Sequence, residues 1–311
     1  MNHTYEDNLT QLYCGDALDV LRMLEPENIQ CVVTSPPYWG LRVYDGVTPR
    51  DWDGYDGEAW HGLFGLEPLH DCLGWAEKTR CNTCYVCHMM LFLDGIWRVL
   101  RDDGTVWINL GDSYTSKELA GVPWRIAFAA QANGWYLRSD IIWSKTNPMP
   151  ENVTDRPTKS HEYIFLLTKN KKYYYDADAI KETSMNAGKI ISLGEKSFAK
   201  RQALGMKVPP SGNGLSESYL VPDYRNKRSV WEVATQPYPD AHLATFPEKL
   251  VEPCILAGTT TKSVVLDPFS GSGTTGVVAR RLNRKSTLIE SSQEYCDIIV
   301  KRITETQPAL L

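Results

Sequence analysis

Short apolar runs alternate with helix-spaced apolar residues along most of this chain. Leu9 to Tyr13 predicts a short strand, and Ala17 to Leu24 a helix with Leu18, Leu21 and Leu24 on one side and Pro26 just past its end. Ile29, Cys31, Val32 and Val33 predict a buried strand that stops at Thr34-Ser35-Pro36-Pro37-Tyr38, because neither proline has an N–H to give the ladder. Residues 39–60 are rich in Gly, Asp, Trp and Tyr without a period and predict a long loop. Helices are expected over 85–100, with Phe92, Ile96, Val99 and Leu100 on one side, and over 122–133, ending at Gly134. Strands are expected at Thr105 to Leu110, Leu137 to Trp143 and Glu162 to Thr168, the last two as a hairpin at the sheet edge. After a polar stretch the pattern resumes: a helix from Pro247 to about Leu256, a strand at Ser263 to Leu266 and a helix at Gly276 to Leu282. A strand at Ser286 to Glu290 and a helix at Gln293 to Ile303 complete it. Strands alternating with helices predict an α/β fold with a mostly parallel sheet.

Composition changes the picture in two places. The chain has 311 residues, 42% apolar and 23% charged, enough for one large domain or a domain with an insertion. No run approaches a membrane span and the first residues do not read as a signal peptide, so a cytoplasmic, reducing setting is expected and disulfides are not. Net charge is −5, which argues against a uniformly basic nucleic-acid binder. From 181 to 228, however, nine basic residues (Lys181, Lys189, Lys196, Lys200, Arg201, Lys207, Arg225, Lys227, Arg228) face four acids. This local excess predicts either a surface for a polyanion or a solvated loop. The second place is a cysteine cluster, Cys72, Cys81, Cys84 and Cys87, with His70 and His88 beside it. Four thiolates suit a structural zinc, and buried thiols are the other reading. Cys84 to His88 fits haem attachment formally, but no secretory signal accompanies it.

Two turns carry candidate chemistry. The Pro-Pro turn ends a strand at the sheet edge where open α/β folds keep their sites, and presents the Ser35 hydroxyl, unladdered carbonyls and the Tyr38 ring. Such groups can hold an exocyclic amine and stack on a flat ring. The second turn, Asp267-Pro268-Phe269-Ser270-Gly271-Ser272-Gly273-Thr274-Thr275, joins a strand to a helix. Its small residues admit a ligand to the backbone. Glu290 follows Asp267 by 23 residues and ends the next strand, close to the ~20-residue interval at which an acid meets a ribose. A full G-x-G-x-x-G and a P-loop lysine are both missing, so a nucleoside without phosphates fits better than NAD or ATP.

Thr-Ser-Pro-Pro-Tyr together with Asp-Pro-Phe-Ser-Gly-Ser-Gly-Thr-Thr resembles the amino-group DNA methyltransferases that use S-adenosylmethionine. The catalytic motif comes first, as in the permuted β class, over about 9–170 and 240–303. The resemblance implies a Rossmann-like sheet of seven strands in the order 3-2-1-4-5-7-6, strand 7 antiparallel, with helices on both faces. It implies that Phe269, Gly271, Gly273 and Thr274 line the methionine end of the cofactor and that Asp267 orders the turn. Glu290 would take the ribose hydroxyls and Asp16 approach the adenine. Thr34 and Thr275 join this set, and Thr245, Phe246 and Pro247, in the segment Ala244 to Leu250, would close over the cofactor. Ser291-Ser292 after Glu290 departs from many relatives. Ser35, Pro36, Pro37 and Tyr38 would be catalytic, acting on a base flipped from double-stranded DNA.

Residues 1–170 and 236–311 are then the catalytic domain, 61–88 a Cys-rich insertion, and 171–235 the target-recognition insertion whose Arg and Lys contact DNA. A serine before Pro-Pro-Tyr leans in this family toward cytosine N4, with adenine N6 the alternative. A methyltransferase for RNA or a protein amide, and a nucleic-acid-binding protein without activity, are the rivals from other classes. Pro253-Cys254 and Glu151-Asn152-Val153 superficially resemble cytosine-C5 enzymes, but the chain order is wrong. A cognate restriction endonuclease, a monomer or homodimer, and a bacterial, archaeal or phage origin complete the expectation.

Overall fold

The computed structural model describes residues 4–40, 49–52, 60–68, 72, 80–81, 83–193, 217–236 and 246–309. The main sheet contains β1 (Tyr5–Glu6), β2 (Thr10–Cys14), β3 (Ile29–Thr34), β4 (Leu100–Leu110) and β5 (Tyr136–Lys145). It continues with β6 (His161–Thr168), β7 (Val230–Val233), β8 (Val264–Asp267) and β9 (Lys285–Glu290). The helices are α1 (Ala17–Met23), α2 (Tyr85–Val99), α3 (Val122–Ala132), α4 (Glu248–Gly258), α5 (Thr274–Arg281) and α6 (Gln293–Glu305).

The strand order is β1-β2-β9-β8-β3-β4-β6-β5-β7. From β2 to β5 this is the 3-2-1-4-5-7-6 order, with β6 antiparallel to both neighbours and the other pairs parallel. Two strands extend it: β1 lies antiparallel on β2, and β7 lies parallel on β5. The hairpin of β5 and β6 is therefore not the outer edge. β7 was hidden within the expected insertion, but its Val-Trp-Glu-Val alternation buries Trp231, whose ring lies 6.4 Å from that of Trp107.

Strand alternation sets the two layers of helices. Val32, Val106, Ile108 and Leu110 share one core cluster with residues of α1, α2 and α3. Cys31, next to Val32 and so on the opposite face, lies against the Cys254 carbonyl of α4. A Cβ on Gly258 would fall 2.5 Å from Thr105 Oγ1, so only glycine lets α4 approach this closely. Cys254 is buried and donates its thiol to the Leu250 carbonyl at 3.4 Å, which leaves it no role as a nucleophile. Helix ends follow local chemistry. Asp16 Oδ1 accepts from the Leu18 and Asp19 N–H groups to cap α1, and Asp112 accepts from Gly121 and Val122 to start α3. Arg280 on α5 pairs with Asp7 at 2.7 Å and donates to the Thr306 carbonyl at 2.8 Å, joining β1 to the end of α6.

The chain divides into two compact units, 1–176 with 229–311, and 177–228. The second is narrower than the 171–235 insertion expected. It contains the ribbons Glu182–Thr183 with Tyr224–Arg225 and Ile190–Leu193 with Glu217–Leu220. The Trp39 to Trp60 stretch, expected as loop, also carries a ribbon strand: Arg50–Trp52 pairs with Trp60–Gly62, driven by Trp52, which is buried and stacked 4.0 Å over His88. The Cys-rich insertion stops short of 88, since Tyr85 to His88 already form the buried first turn of α2. Among the described residues no helix is long and apolar enough to cross a membrane.

Candidate active site

Parallel pairing of β3 with β8 puts both turns at the carboxyl ends of neighbouring strands. The Asp267 carboxylate bonds to both, and Thr275 Oγ1 also reaches the Val33 carbonyl of β3 at 3.2 Å. Asp267 Oδ1 accepts from Thr34 Oγ1 at 2.7 Å and from the Phe269 N–H at 3.1 Å, while Oδ2 accepts from Thr275 Oγ1 at 2.8 Å. Burial pushes the Asp267 carboxyl up to about 6, against the pull of these three donors.

The glycine turn is braced largely by its own neighbourhood. Ser270 Oγ donates to the Asp267 carbonyl at 2.9 Å and accepts from the Ile289 N–H at 3.1 Å. Glu290 Oε2 accepts from the Gly271 N–H and Oε1 from the Ser292 N–H, at 2.8 and 2.9 Å. Burial raises the Glu290 carboxyl above the usual range. Ser292 therefore orients the acid through its backbone. Arg302 on α6 donates to the Ser272 carbonyl and hydroxyl at 2.7 and 2.9 Å and to Thr274 Oγ1 at 3.2 Å. Gly271 has φ +50°, and a Cβ added there would meet nothing within 4 Å, so the turn opens onto space a ligand can fill. Phe269 stacks on Phe64 at 5.7 Å and meets Phe92 edge-on at 4.8 Å. This cradle, with the Glu290 lone pairs beside it, fits a nucleoside with a sulfonium arm, a cation that aromatic faces can receive. Asp16 also caps a helix and pairs with Arg50 at 2.7 Å. Phe246 is half-buried and Pro247, buried, caps α4. Thr245 lies outside the described residues.

The Pro-Pro turn is held from a distance. Ser35 Oγ donates to the Tyr38 hydroxyl at 3.2 Å, and that hydroxyl donates to Glu162 Oε2 at 2.6 Å. Asn109 Nδ2 donates to Glu162 Oε2 at 2.8 Å and to Ser35 Oγ at 3.4 Å, and also reaches the Tyr38 hydroxyl. Lys145 pairs with the other oxygen of Glu162. Tyr85 donates its hydroxyl to the Pro37 carbonyl at 2.7 Å. A Cβ on Gly111 would fall 2.6 Å from the Tyr38 ring, so glycine there lets the ring lie against the backbone. Asn109, Glu162, Lys145, Tyr85 and Arg302 are absent from the sequence-derived site. The available signal was polarity in buried strands: Asn109 within Val-Trp-Ile-Asn-Leu and Glu162 at the head of Tyr-Ile-Phe-Leu-Leu.

The basic segment is less free than its sequence suggests. Arg225 and Arg228 both pair with Glu182, at 2.9 and 2.7 Å, and Lys181 pairs with Asp178 at 2.6 Å. Lys189 reaches Asn186 Oδ1 at 3.3 Å. Lys227 is also described, whereas Lys196, Lys200, Arg201 and Lys207 lie outside the described residues. The sulfurs of Cys72, Cys81, Cys84 and Cys87 gather within 4.8 Å of one another. His88 is not part of that group, because its Nδ1 bonds Glu67 Oε1 at 2.7 Å with both side chains fully buried. His70 lies outside the described residues.

Comparison with known proteins agrees with this geometry. The family model N6_N4_Mtase, DNA methylase, matches residues 29–301. The type II methyltransferase M.Cfr9I of Citrobacter freundii is 39% identical over 96% of this chain and 89% of its own length. M.SmaI of Serratia marcescens is 38% identical over 96% of this chain and 92% of its own. Among solved structures, the PvuII DNA methyltransferase (cytosine-N4-specific) superposes with a TM-score of 0.66 at 18% identity, covering 99% of this chain and 91% of that one. An M1.HpyAVI–SAM complex gives 0.51 at 19% identity, covering 95% and 99%. The shared carboxylate, the open glycine cradle and the Pro-Pro turn thus belong to a known kind of molecule: the chain is a member of the S-adenosylmethionine-dependent N6/N4 DNA methylase family, and its substrate is DNA.

Proposed function

We propose that this protein methylates the exocyclic amine of a base flipped out of duplex DNA, with cytosine N4 as its target. The observation that carries the proposal is the 2.7 Å bond from Thr34 to Asp267, which fixes the amine-holding turn beside the cofactor-holding turn. When bound, S-adenosylmethionine supplies a sulfonium methyl, and the chain's task is to aim an amine at it. Phe269, Gly271, Gly273, Thr274 and Thr275 would cradle the methionine end, and Glu290, held by two backbone N–H groups, would accept the ribose hydroxyls.

The amine lone pair is delocalised into the base ring, so it attacks poorly until its hydrogens are held. Ser35 Oγ and the Pro36 carbonyl, which lies beyond the last ladder residue Thr34, are the acceptors for those hydrogens. Transfer would form the N–C bond as the S–C bond breaks with its electron pair left on sulfur, and the proton the nitrogen then gives up would pass to solvent by way of the acceptors that hold it. Asn109 Oδ1 is buried and unbonded among the described residues, and adds an acceptor within this same cluster. Tyr38, wedged on Gly111, would stack on the flipped base. Arg and Lys of 181–228 would contact phosphates and guanine edges. Ser35 ahead of Pro-Pro-Tyr favours cytosine N4, as does the name of the PvuII enzyme. The relatives' designation as type II methyltransferases supports a cognate restriction endonuclease reading the same site.

The test is incubation with labelled S-adenosylmethionine and duplex DNA, then digestion and nucleoside mass spectrometry. N4-methylcytosine is expected. N6-methyladenine would keep the chemistry and overturn the base assignment. Label on RNA or protein but on no DNA would sink the proposal.

A further inference from the structure

We infer that Cys72, Cys81, Cys84 and Cys87 form a tetrahedral zinc site that fastens the first turn of α2, and through it the catalytic turn. Four sulfurs placed ~2.3 Å from one ion at the corners of a tetrahedron stand about 3.8 Å apart. Here Cys72 and Cys81 each stand 3.7 Å from Cys87, and all four sulfurs lie within 4.8 Å of one another. Three lie within seven residues, Cys81 ahead of the helix, Cys84 as its N-cap and Cys87 within its first turn, and Cys72 comes from nine residues earlier. None of the cysteines is in a disulfide.

The surroundings suit thiolates. Cys84 and Cys87 are buried at the helix N-terminus, where exposed N–H groups favour negative charge. The Cys87 N–H, one of those groups, bonds the Cys84 sulfur, and the first turn carries no acid. The N–H and the hydroxyl of Thr83 both point to Cys81 Sγ at 3.5 Å, the outer-shell donors a metal-bound sulfur takes. The spacing admits one ion. A multi-iron cluster distributes its cysteines over several irons and needs them further apart. An all-sulfur tetrahedron of this size suits zinc, and with no open position its role is structural.

The consequence for the enzyme runs through Tyr85. It lies between two of the ligands, donates to the Pro37 carbonyl at 2.7 Å and stacks on Phe64 at 5.0 Å, and Phe64 stacks in turn on Phe269 of the glycine turn. Ligation would hold this tyrosine in place without contributing any group to the chemistry.

The purified protein should contain one zinc per chain by plasma mass spectrometry, released in full when a mercurial titrates the thiols. The half-buried ligand variant Cys81→Ser should drop the content at least tenfold, while Tyr85→Phe keeps it. Reduced, metal-stripped protein given cobalt(II) should develop a thiolate-to-cobalt charge-transfer band, a readout that does not depend on any variant folding or on activity. Stripping should also speed amide exchange at 38–40. Protein from zinc-supplemented culture holding under a tenth of an equivalent and giving no cobalt band would overturn the inference. So would iron in place of zinc, or disulfides among these four cysteines in freshly purified protein.

Discussion

The two turns of the active site are neighbours in the sheet, yet they are built on opposite plans. The glycine turn is held mostly by short-range bonds and by the adjacent strand: Asp267 to Phe269 and Thr275, Ser270 to the Asp267 carbonyl, Glu290 to Gly271. The catalytic turn has stiff prolines but takes its partners from far along the chain, Tyr85, Asn109 and Glu162. In the proposed arrangement a cofactor common to many enzymes would be met by a self-contained loop, and the substrate end would be held by groups that can change independently. Asp267 serves both, accepting from Thr34 on one side and Thr275 on the other.

That shared carboxylate is where the comparison breaks most easily. Asp267 is raised to about 6 from 3.8, so between those pH values the native chain keeps a proton that the unfolded chain gives up. Its contribution to stability is fully present below about pH 4, falls as pH rises to about 6 and is flat above, a change of up to about 3 kcal/mol. Asp267→Asn should abolish that slope, as read from urea midpoints across pH in both proteins. Both turns should loosen together, since Thr34 and Thr275 lose the same partner.

The next two substitutions separate the turns. Asn109→Ala removes the amide that gathers Ser35, Tyr38 and Glu162, and should lower kcat by about a hundredfold through misplacement of the amine. Cofactor affinity, measured by calorimetry, should stay unchanged; a parallel loss would mean the turns are not independent. Glu290→Ala should do the reverse. Removing the acid that bonds the Gly271 N–H and is proposed to accept the ribose hydroxyls should raise the cofactor Kd by about thirtyfold, near 2 kcal/mol, with kcat at saturation little altered.

The same contrast explains what could be read from the sequence. Thr34 to Tyr38 and Asp267 to Thr275 were legible because each motif is contiguous, and its prolines or glycines have fixed backbone consequences. Glu290 was legible through its interval after Asp267. The strand order followed once the family resemblance was in hand, from β2 through β5. Asn109 and Glu162 were not legible, because they meet only through the antiparallel register of β4 and β6, in which Tyr163 faces Leu110 and Ile164 faces Asn109. No local pattern encodes that pairing. β7 was missed for a related reason: four residues after a polar stretch form a strand because β5 offers an edge. The basic residues were visible as charge, but Glu182, distant in sequence from Arg225 and Arg228, could not be assigned as their partner.

Arg280 gives the permuted motif order a physical meaning. By holding Asp7 and the Thr306 carbonyl together, it brings the outer strand and the last helix to one place. Residues beside Asp7 and Thr306 could be joined there by a short link, and new ends opened in a connection between the two motifs. The strand neighbours would be unchanged, while the glycine turn would now be translated before the Pro-Pro turn. Gene rearrangement can therefore reorder the two motifs without rebuilding the site, because the site depends on which strands touch and not on which is made first.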